Sequence, residues 1–485
     1  MNLAGPARET KLKALLSDLP EGLLTTAEAD MQRYTRDWTG DHYGLPVAVA
    51  RPRSTEEVSV LLAYCSKNGI GVVPQGGLTG LVGAAVASTD RDEIVLSLDR
   101  MTRVRSISPI DYAMVVEAGC ILEEAKRQAE EHDRILPITF GAQGSCRIGG
   151  NVATNAGGFN VLRYGMTRDL VLGLEVVLSD GRIWNGLKLL RKDNRGYDLK
   201  QLFIGSEGTL GIITAASLKL FPRPSQVETA LVGVRSVTDA MELYARARRE
   251  CSDLLSAFEL ILRGGIEIAL AARRDLREPL EHVCPVYVLI EASAGGRVDL
   301  RAMLEEFLVG ADDLIVDGTL ASSHAQAAQI WLLREVMVEE QGRGGRYLRT
   351  DVSVPISNLA GFIDDTLSAL AKEYPQALAV TYGHVGDGNI HLNVVPPVGM
   401  ETAAVETLFH EAEAVIFNVV DRFNGSLSAE HGIGRVKQQA FLERVDSVSL
   451  DLAFRIKRAL DPAAIMNIGR LLPPTDTAEG SETAC

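Results

Sequence analysis

Three bunches of glycine place the tightest limits on what this chain can fold into. The first is Pro74-Gln75-Gly76-Gly77-Leu78-Thr79-Gly80-Leu81-Val82-Gly83. Glycines here permit positive φ and close backbone approach, and such a turn aims successive amides inward as a nest for an anion such as a pyrophosphate. It lacks the GK[ST] of a Walker loop and is not a GxGxxG fingerprint, which argues against a nicotinamide dinucleotide in a Rossmann crevice. The second run, 141–158, holds Gly141, Gly144, Gly149, Gly150, Gly157 and Gly158, with Ser145, Asn151, Thr154 and Asn155 among them. It buries little apolar surface of its own. Its small residues suit a backbone laid against a flat ligand, with four polar side chains to bond it. The third run is Gly205-Ser206-Glu207-Gly208-Thr209-Leu210-Gly211-Ile212-Ile213. One cause accounts for all three: a large planar cofactor joined to a polyphosphate.

The rest of the chain reads as an ordinary globular protein. At 485 residues it has room for two or three domains. A net charge of -15 excludes a basic nucleic-acid groove. No apolar run approaches the ~20 residues that span a bilayer, and the N-terminus lacks an apolar signal core, so a cytoplasmic location is expected. The six cysteines are scattered without a CxxC pair and read as reduced thiols. Short apolar runs alternate with amphipathic stretches. TEEVSVLLAYCSKNG is a helix capped by Ser54 or Thr55, with Leu61, Leu62 and Cys65 on one face. GIGVVPQGG, DEIVLSLDRM and YAMVVEAGC read as strands, and LVLGLEVVLSDGRIW as a hairpin around its SDG turn. Beyond the prolines at 222 and 224 the texture shifts to longer helices between strands such as VYVLIEAS and ALAVTYGHV. Four segments are expected: a first domain over 1–224, a second over 225–425, a closing segment over 426–472 and a disordered tail over 473–485.

PQGGLTGLVG, GSCRIGGNVATNAGG and LFIGSEGTLGIIT resemble the FAD-binding domain of the vanillyl-alcohol oxidase/PCMH flavoprotein superfamily. Within it, LRYGMTRDLVLGLEVVLSDGR and LRKDNRGYDLKQLFIGSEGTLGI resemble the D-2-hydroxyglutarate dehydrogenase and D-lactate dehydrogenase branch, over nearly all of 40–472. The resemblance implies an α+β fold. A PCMH-type FAD-binding domain of two α/β subdomains precedes an α+β substrate (cap) domain with an antiparallel sheet and a C-terminal helical return. It places the FAD pyrophosphate on the 75–80 amides and the isoalloxazine near 141–158 and 205–213, beside Glu207, Gly208, Ile213 and Asn467. Some relatives attach FAD through a histidine. Neither 74–83 nor 141–158 contains one, so non-covalent FAD is expected.

Only eight histidines occur, and three fall in His384-Val-Gly-Asp-Gly-Asn-Ile-His391 and Glu430-His431-Gly-Ile-Gly434. A tight turn at Gly386-Asp387-Gly388 lets both imidazoles of the first motif face one space. With Glu430 they make a two-histidine, one-carboxylate set that suits zinc with an open position, though iron(II) or manganese accept the same donors. Zinc is preferred as a redox-inert Lewis acid beside a flavin, and the branch carries a metal at the matching positions. Oxidising a 2-hydroxy acid requires a base for the hydroxyl proton, and His431 is that candidate. An anionic substrate needs cations, for which Arg334 and Arg349 are candidates; the resemblance adds Asn393 as a substrate-contacting amide. In the branch a threonine stands at position 338 and a lysine at 349, whereas this chain has Val338 and Arg349. D-2-hydroxyglutarate is the leading substrate and D-malate another, with a D-lactate dehydrogenase or a glycolate oxidase subunit as the alternative. The resemblance also implies an electron-transfer flavoprotein or a quinone-linked acceptor; a homodimer is the commonest prior.

Overall fold

The computed structural model describes residues 13–474. The expected tail falls largely outside the described residues, as do residues 1–12 of the expected first domain. The described chain divides into two compact units. One takes residues 13–157, 166–222 and 430–474, and the other takes 158–165 and 223–429. Among the described residues no helix is long and apolar enough to cross a membrane.

The first unit carries two main sheets and a two-stranded pair, Arg134–Ile135 with Phe221–Pro222. Strands Ala48–Ala50, Glu93–Ser97 and Gly71–Gln75 run parallel, with Leu24–Thr25 antiparallel at one edge. Their crossover is the helix Thr55–Asn68. Ser54 caps it, accepting the Glu57 N–H at 3.3 Å, and Gly69 ends it in the left-handed conformation; a cap of this kind stabilises by about 1 kcal/mol. Leu61, Leu62 and Cys65 are fully buried beneath it. The second sheet is antiparallel, in the order Val104–Ser108, Ala113–Glu117, Ile212–Lys219, Val171–Val177, Ile183–Asn185. Its last two strands pair Val177 with Ile183 across the SDG turn, where Gly181 takes φ +88°. The C-terminal segment returns to the parallel sheet. The Val72 N–H donates to the Ile465 carbonyl at 2.8 Å, and the Asn467 N–H to the Val72 carbonyl at 2.9 Å. The five cysteines among the described residues are free and buried.

The second unit is built on a seven-stranded antiparallel sheet, ordered Ile315–Leu320, Gln226–Val234, Val286–Ala294, Leu255–Leu262, Leu378–His384, Asn389–Val395, Val352–Ser353. Its central strands are buried along nearly their whole length, because helices cover both faces. On one face Leu231, Ile261, Tyr287, Leu289, Val380 and Tyr382 pack against helices Arg263–Ala272 and His324–Glu340. Side chains alternate along a strand, so this same face receives Glu259, His384, His391 and Asn393. Those four, with Thr229 and Glu291, are polar exceptions to a largely apolar layer.

Candidate active site

Strand register assembles the histidine corner of the second unit. Glu259 lies directly across from His384, Tyr382 from His391, and Val380 from Asn393. Between the two histidines the chain makes one 3-10 turn, Val385–Asp387, and leaves it at Gly388 with φ +77°; a Cβ there would sit 2.3 Å from the Val354 carbonyl oxygen. That turn brings the imidazole centroids to 5.8 Å at a right-angled pose. The sequence expectation that both rings face one space holds within this unit. His384 Nδ1 meets Glu259 Oε1 in a short contact, and Arg334 Nε donates to Glu259 Oε2 at 3.2 Å. Arg334 is therefore no surface cation. It is 4% exposed, with its guanidinium carbon 4.4 Å from the Tyr382 ring centroid and 5.4 Å from that of Phe159. Burial alone would raise the Glu259 carboxyl, but the His384 and Arg334 charges beside it hold it below the ordinary carboxylate value. His391 Nδ1 lies 3.8 Å from Asp351 Oδ1, a buried carboxylate that also accepts the Asn389 amide at 2.9 Å.

Two further substrate candidates sit in this unit. Arg349 is half-buried, its guanidinium 4.5 Å from the Tyr347 ring centroid. Asn393 is buried in a framework of its own: Oδ1 accepts the Thr350 N–H at 3.0 Å, and Nδ2 donates to Gln341 at 2.7 Å and Tyr382 at 3.2 Å. Trp331 walls the corner. It packs 5.1 Å from Phe159 and donates its Nε1–H to Glu291 at 2.9 Å. Burial drives the Glu291 carboxyl up, against hydrogen bonds from Trp331, Ser256 and Thr229. A carboxyl raised in the fold holds its proton more tightly than in the unfolded chain. The stability it contributes is full below the unfolded value, near 4.5, and is lost as pH rises through the folded one. Glu291→Gln keeps the Trp331 bond but cannot ionise. Its Tm should fall less than that of wild type between about pH 5 and pH 8, measured by calorimetry.

The glycine runs meet in the first unit around a cavity of about 360 Å³. Residues 74–83 form one wall. Gly141, Gly149, Gly150, Asn151, Thr154 and Gly157 add another, and Glu207, Gly208, Ile213, Glu430, His431 and Asn467 complete it. Gly80, Gly141 and Gly150 look onto open space, whereas a Cβ at Gly77 would lie 2.1 Å from the Ser145 carbonyl oxygen and one at Gly157 would lie 2.1 Å from Glu430 Oε1. Leu78, Glu207 and Asn467, all on the lining, take φ of +58°, +52° and +45°. Non-glycine residues held in this region cost free energy and collect at functional sites. Four lining atoms are buried without a hydrogen-bond partner: Gln75 Oε1, Asn467 Oδ1, Asp37 Oδ2 and Arg147 Nε. Each leaves about 1–3 kcal/mol of desolvation uncompensated, so the lining is built for a polar guest. A flavin fits, because its flat ring needs an open glycine wall and carries N–H donors for orphaned acceptors.

Some expected cofactor residues lie off this lining. A Cβ at Gly144 would lie 3.4 Å from Glu123 Oε2, Ser145 bonds the Ala142 carbonyl, and Asn155 accepts the Arg168 N–H at 2.8 Å. Gly158 belongs to the second unit. Glu207 lines the cavity, but its carboxylate binds the chain itself, accepting the Ile433 N–H at 2.7 Å and the Gly434 N–H at 2.8 Å. Asn467 Nδ2 donates to the Glu207 carbonyl at 2.7 Å. This clamp seats the segment bearing His431. Asp37 and Arg147 were missed by the sequence reading. Arg147 had a signal, a cation inside a glycine run; Asp37 had none.

The family model described as "FAD linked oxidases, C-terminal domain" matches residues 223–471, more than half of the chain. The chain belongs to this FAD-linked oxidase family. A second model, "FAD binding domain", matches residues 46–186. Among similar proteins, "D-2-hydroxyglutarate dehydrogenase, mitochondrial" of Rattus norvegicus is 40% identical over 96% of this chain and 85% of its own length. The D-2-hydroxyglutarate dehydrogenase of Xanthomonas citri pv. viticola is 37% identical, over 96% and 98%. A D-2-hydroxyglutarate–pyruvate transhydrogenase of Saccharomyces cerevisiae is 36% identical, over 94% and 92%. Of solved structures, 4-ethylphenol oxidase from Gulosibacter chungangensis superposes with a TM-score of 0.76 at 17% identity, over 98% of this chain and 99% of that one. p-Cresol methylhydroxylase superposes at 0.73 and 17%, over 97% and 98%. These two carry the fold alone, which is the PCMH-type α+β architecture. The chain is an FAD-linked dehydrogenase.

Proposed function

We propose that this enzyme oxidises a D-2-hydroxy acid, with D-2-hydroxyglutarate the preferred substrate, to the 2-oxo acid, using a divalent metal held by His384, His391 and Glu430. The observation that carries the reading is the second unit's buried corner, two imidazoles beside a guanidinium that is not on the surface. The curated relatives named for D-2-hydroxyglutarate support the substrate. FAD supplies the two-electron acceptor, and zinc, or another divalent ion, supplies a Lewis acid that lowers the pKa of the substrate hydroxyl. The chain's own residues do the rest. The Arg334 and Arg349 guanidiniums hold carboxylates, for which a planar fork is suited. The His431 imidazole takes the hydroxyl proton near neutral pH. Asn393 acts through the Thr350, Gln341 and Tyr382 framework it ties together. The glycine walls and the Glu207 clamp hold the cofactor and the base.

Val338 packs against the apolar cluster of the sheet, which favours a second reading: a substrate with a shorter or less polar distal end, as in D-malate, D-lactate or glycolate. An anaerobic panel of D- and L-2-hydroxy acids, followed by flavin absorbance with and without EDTA, decides between them. D-2-hydroxyglutarate should bleach the flavin faster than D-malate, D-lactate or glycolate. L isomers should leave it yellow, and EDTA should stop the reaction. Preference for an L acid overturns the reading, and indifference to the chelator overturns its metal. Reduced flavin then passes electrons to an electron-transfer flavoprotein or a quinone-linked acceptor rather than to oxygen.

A further inference from the structure

Glu259 has no counterpart in the chemistry described above, yet it is one of the least exposed carboxylates in the protein. Both of its oxygens are engaged, and by two different candidate groups: Oε1 with His384 Nδ1 and Oε2 with the Nε–H of Arg334. Strand pairing places Glu259 across from His384. The helix His324–Glu340 lays Arg334 over the same face, where Tyr382 and Phe159 flank its guanidinium. Phe159 also meets His384 edge-on, with centroids 5.4 Å apart.

Two consequences follow from hydrogen-bond chemistry. A carboxylate only accepts, so the His384 nitrogen facing it must carry hydrogen, and the imidazole's metal-binding lone pair is assigned to Nε2. An arginine bonded through Nε is fixed about its long axis, which aims the two terminal nitrogens of its fork in one direction. We propose that Glu259 is a positioning residue that sets two groups at once, fixing His384 in the Nδ1–H form for ligation through Nε2 and fixing the orientation of Arg334 for a substrate carboxylate. The metal half of this statement rests on the ligand set proposed above.

Glu259→Gln is the discriminating change, because glutamine has the same shape but one accepting and one donating end. If its oxygen keeps Arg334, its NH2 faces His384 Nδ1, which must then become the acceptor, and the hydrogen moves to Nε2. Wild-type and Glu259→Gln holoenzymes should be compared by three measurements. Long-range 1H–15N spectra of the imidazoles, with His384 assigned by its loss in His384→Gln, should show the ring switching tautomer. Competition between the protein and a chelator for Zn2+ should show affinity weakened roughly ten- to a hundredfold. Steady-state kinetics should show KM for the hydroxy acid rising by more than kcat falls. Flavin content and a cooperative melt should match wild type. If Glu259→Gln does not fold, Glu259→Asp keeps the charge but is one methylene short. It should retain the tautomer and raise KM.

An unchanged His384 spectrum in Glu259→Gln together with unchanged Zn2+ affinity overturns the proposal, as does a changed tautomer in Glu259→Asp with an unaltered KM. A wild-type enzyme that takes up no Zn2+ overturns the ligand set instead, and the tautomer and KM measurements still decide the role of Glu259.

Discussion

His431→Ala should lower kcat by about a hundredfold or more, the scale of a lost general base, while the protein stays yellow and its content of the proposed metal is unchanged. The separation is expected from where the residue sits. His431 lines the cavity of the first unit, and backbone amides that follow it anchor its segment there. The N–H groups of Ile433 and Gly434 donate to Glu207, and the chain turns at Gly432 with φ +83°. A Cβ at Gly432 would lie 2.8 Å from Glu207 Oε1, so the turn is pressed against its clamp. Truncating the imidazole leaves that clamp intact. Flavin absorbance, metal content and single-turnover bleaching by D-2-hydroxyglutarate, measured on one preparation, check it. A kcat within tenfold of wild type removes His431 from the reaction.

The second large effect is loss of the cofactor. In Gly77→Ala the added methyl would stand 2.1 Å from the Ser145 carbonyl oxygen and 2.9 Å from the Cys146 Cα. Both obstacles are backbone, so no side chain can swing aside, and the 74–83 wall or the 141–158 wall must shift. Overpacking of this kind costs about 1–3 kcal/mol, roughly a ten- to hundredfold loss of affinity if it falls on the bound state. Purified Gly77→Ala should show a ratio of flavin to protein absorbance well below that of wild type, restored by excess FAD. Gly295→Ala is the control. Nothing lies within 4 Å of its Cβ position and it is off the cavity lining, so it strains no protein contact and meets no cofactor. If Gly77→Ala binds FAD as tightly as wild type, the two walls do not hold the cofactor in the way described.

The glycine runs and the histidine turn were legible because they break local rules. Glycines bunched without an apolar pattern, and two histidines across a Gly-Asp-Gly turn, are poor fold-builders, so their presence needs a cause outside secondary structure. Strands, hairpin and capped helix were legible for the opposite reason, their patterning being regular. Glu259 was not legible. It sits in LSAFELIL, a strand whose pattern reads as core, and its partners are far away in sequence, at 334 and 384. Only the register of the Leu255–Leu262 and Leu378–His384 strands makes them neighbours. The role of Glu207 escaped for a similar reason. The sequence shows a carboxylate in a glycine loop, and nothing local says that its acceptors serve amides more than two hundred residues later. Asn393 reads as a polar residue on a strand, and only the fold shows how many internal bonds it makes.

The first unit is discontinuous in a way that sets the timetable of its maturation. Its cavity wall includes Glu430, His431 and Asn467, and its parallel sheet is flanked by Ile465. Those residues leave the ribosome after the whole seven-stranded unit has been made. Chains fold from the N-terminus as they emerge, so the nascent glycine walls stay unfinished until residues 430–467 have been made. Capture of the dinucleotide is thereby tied to synthesis of residues 430–467, and a product cut short before them lacks part of the wall that would hold it.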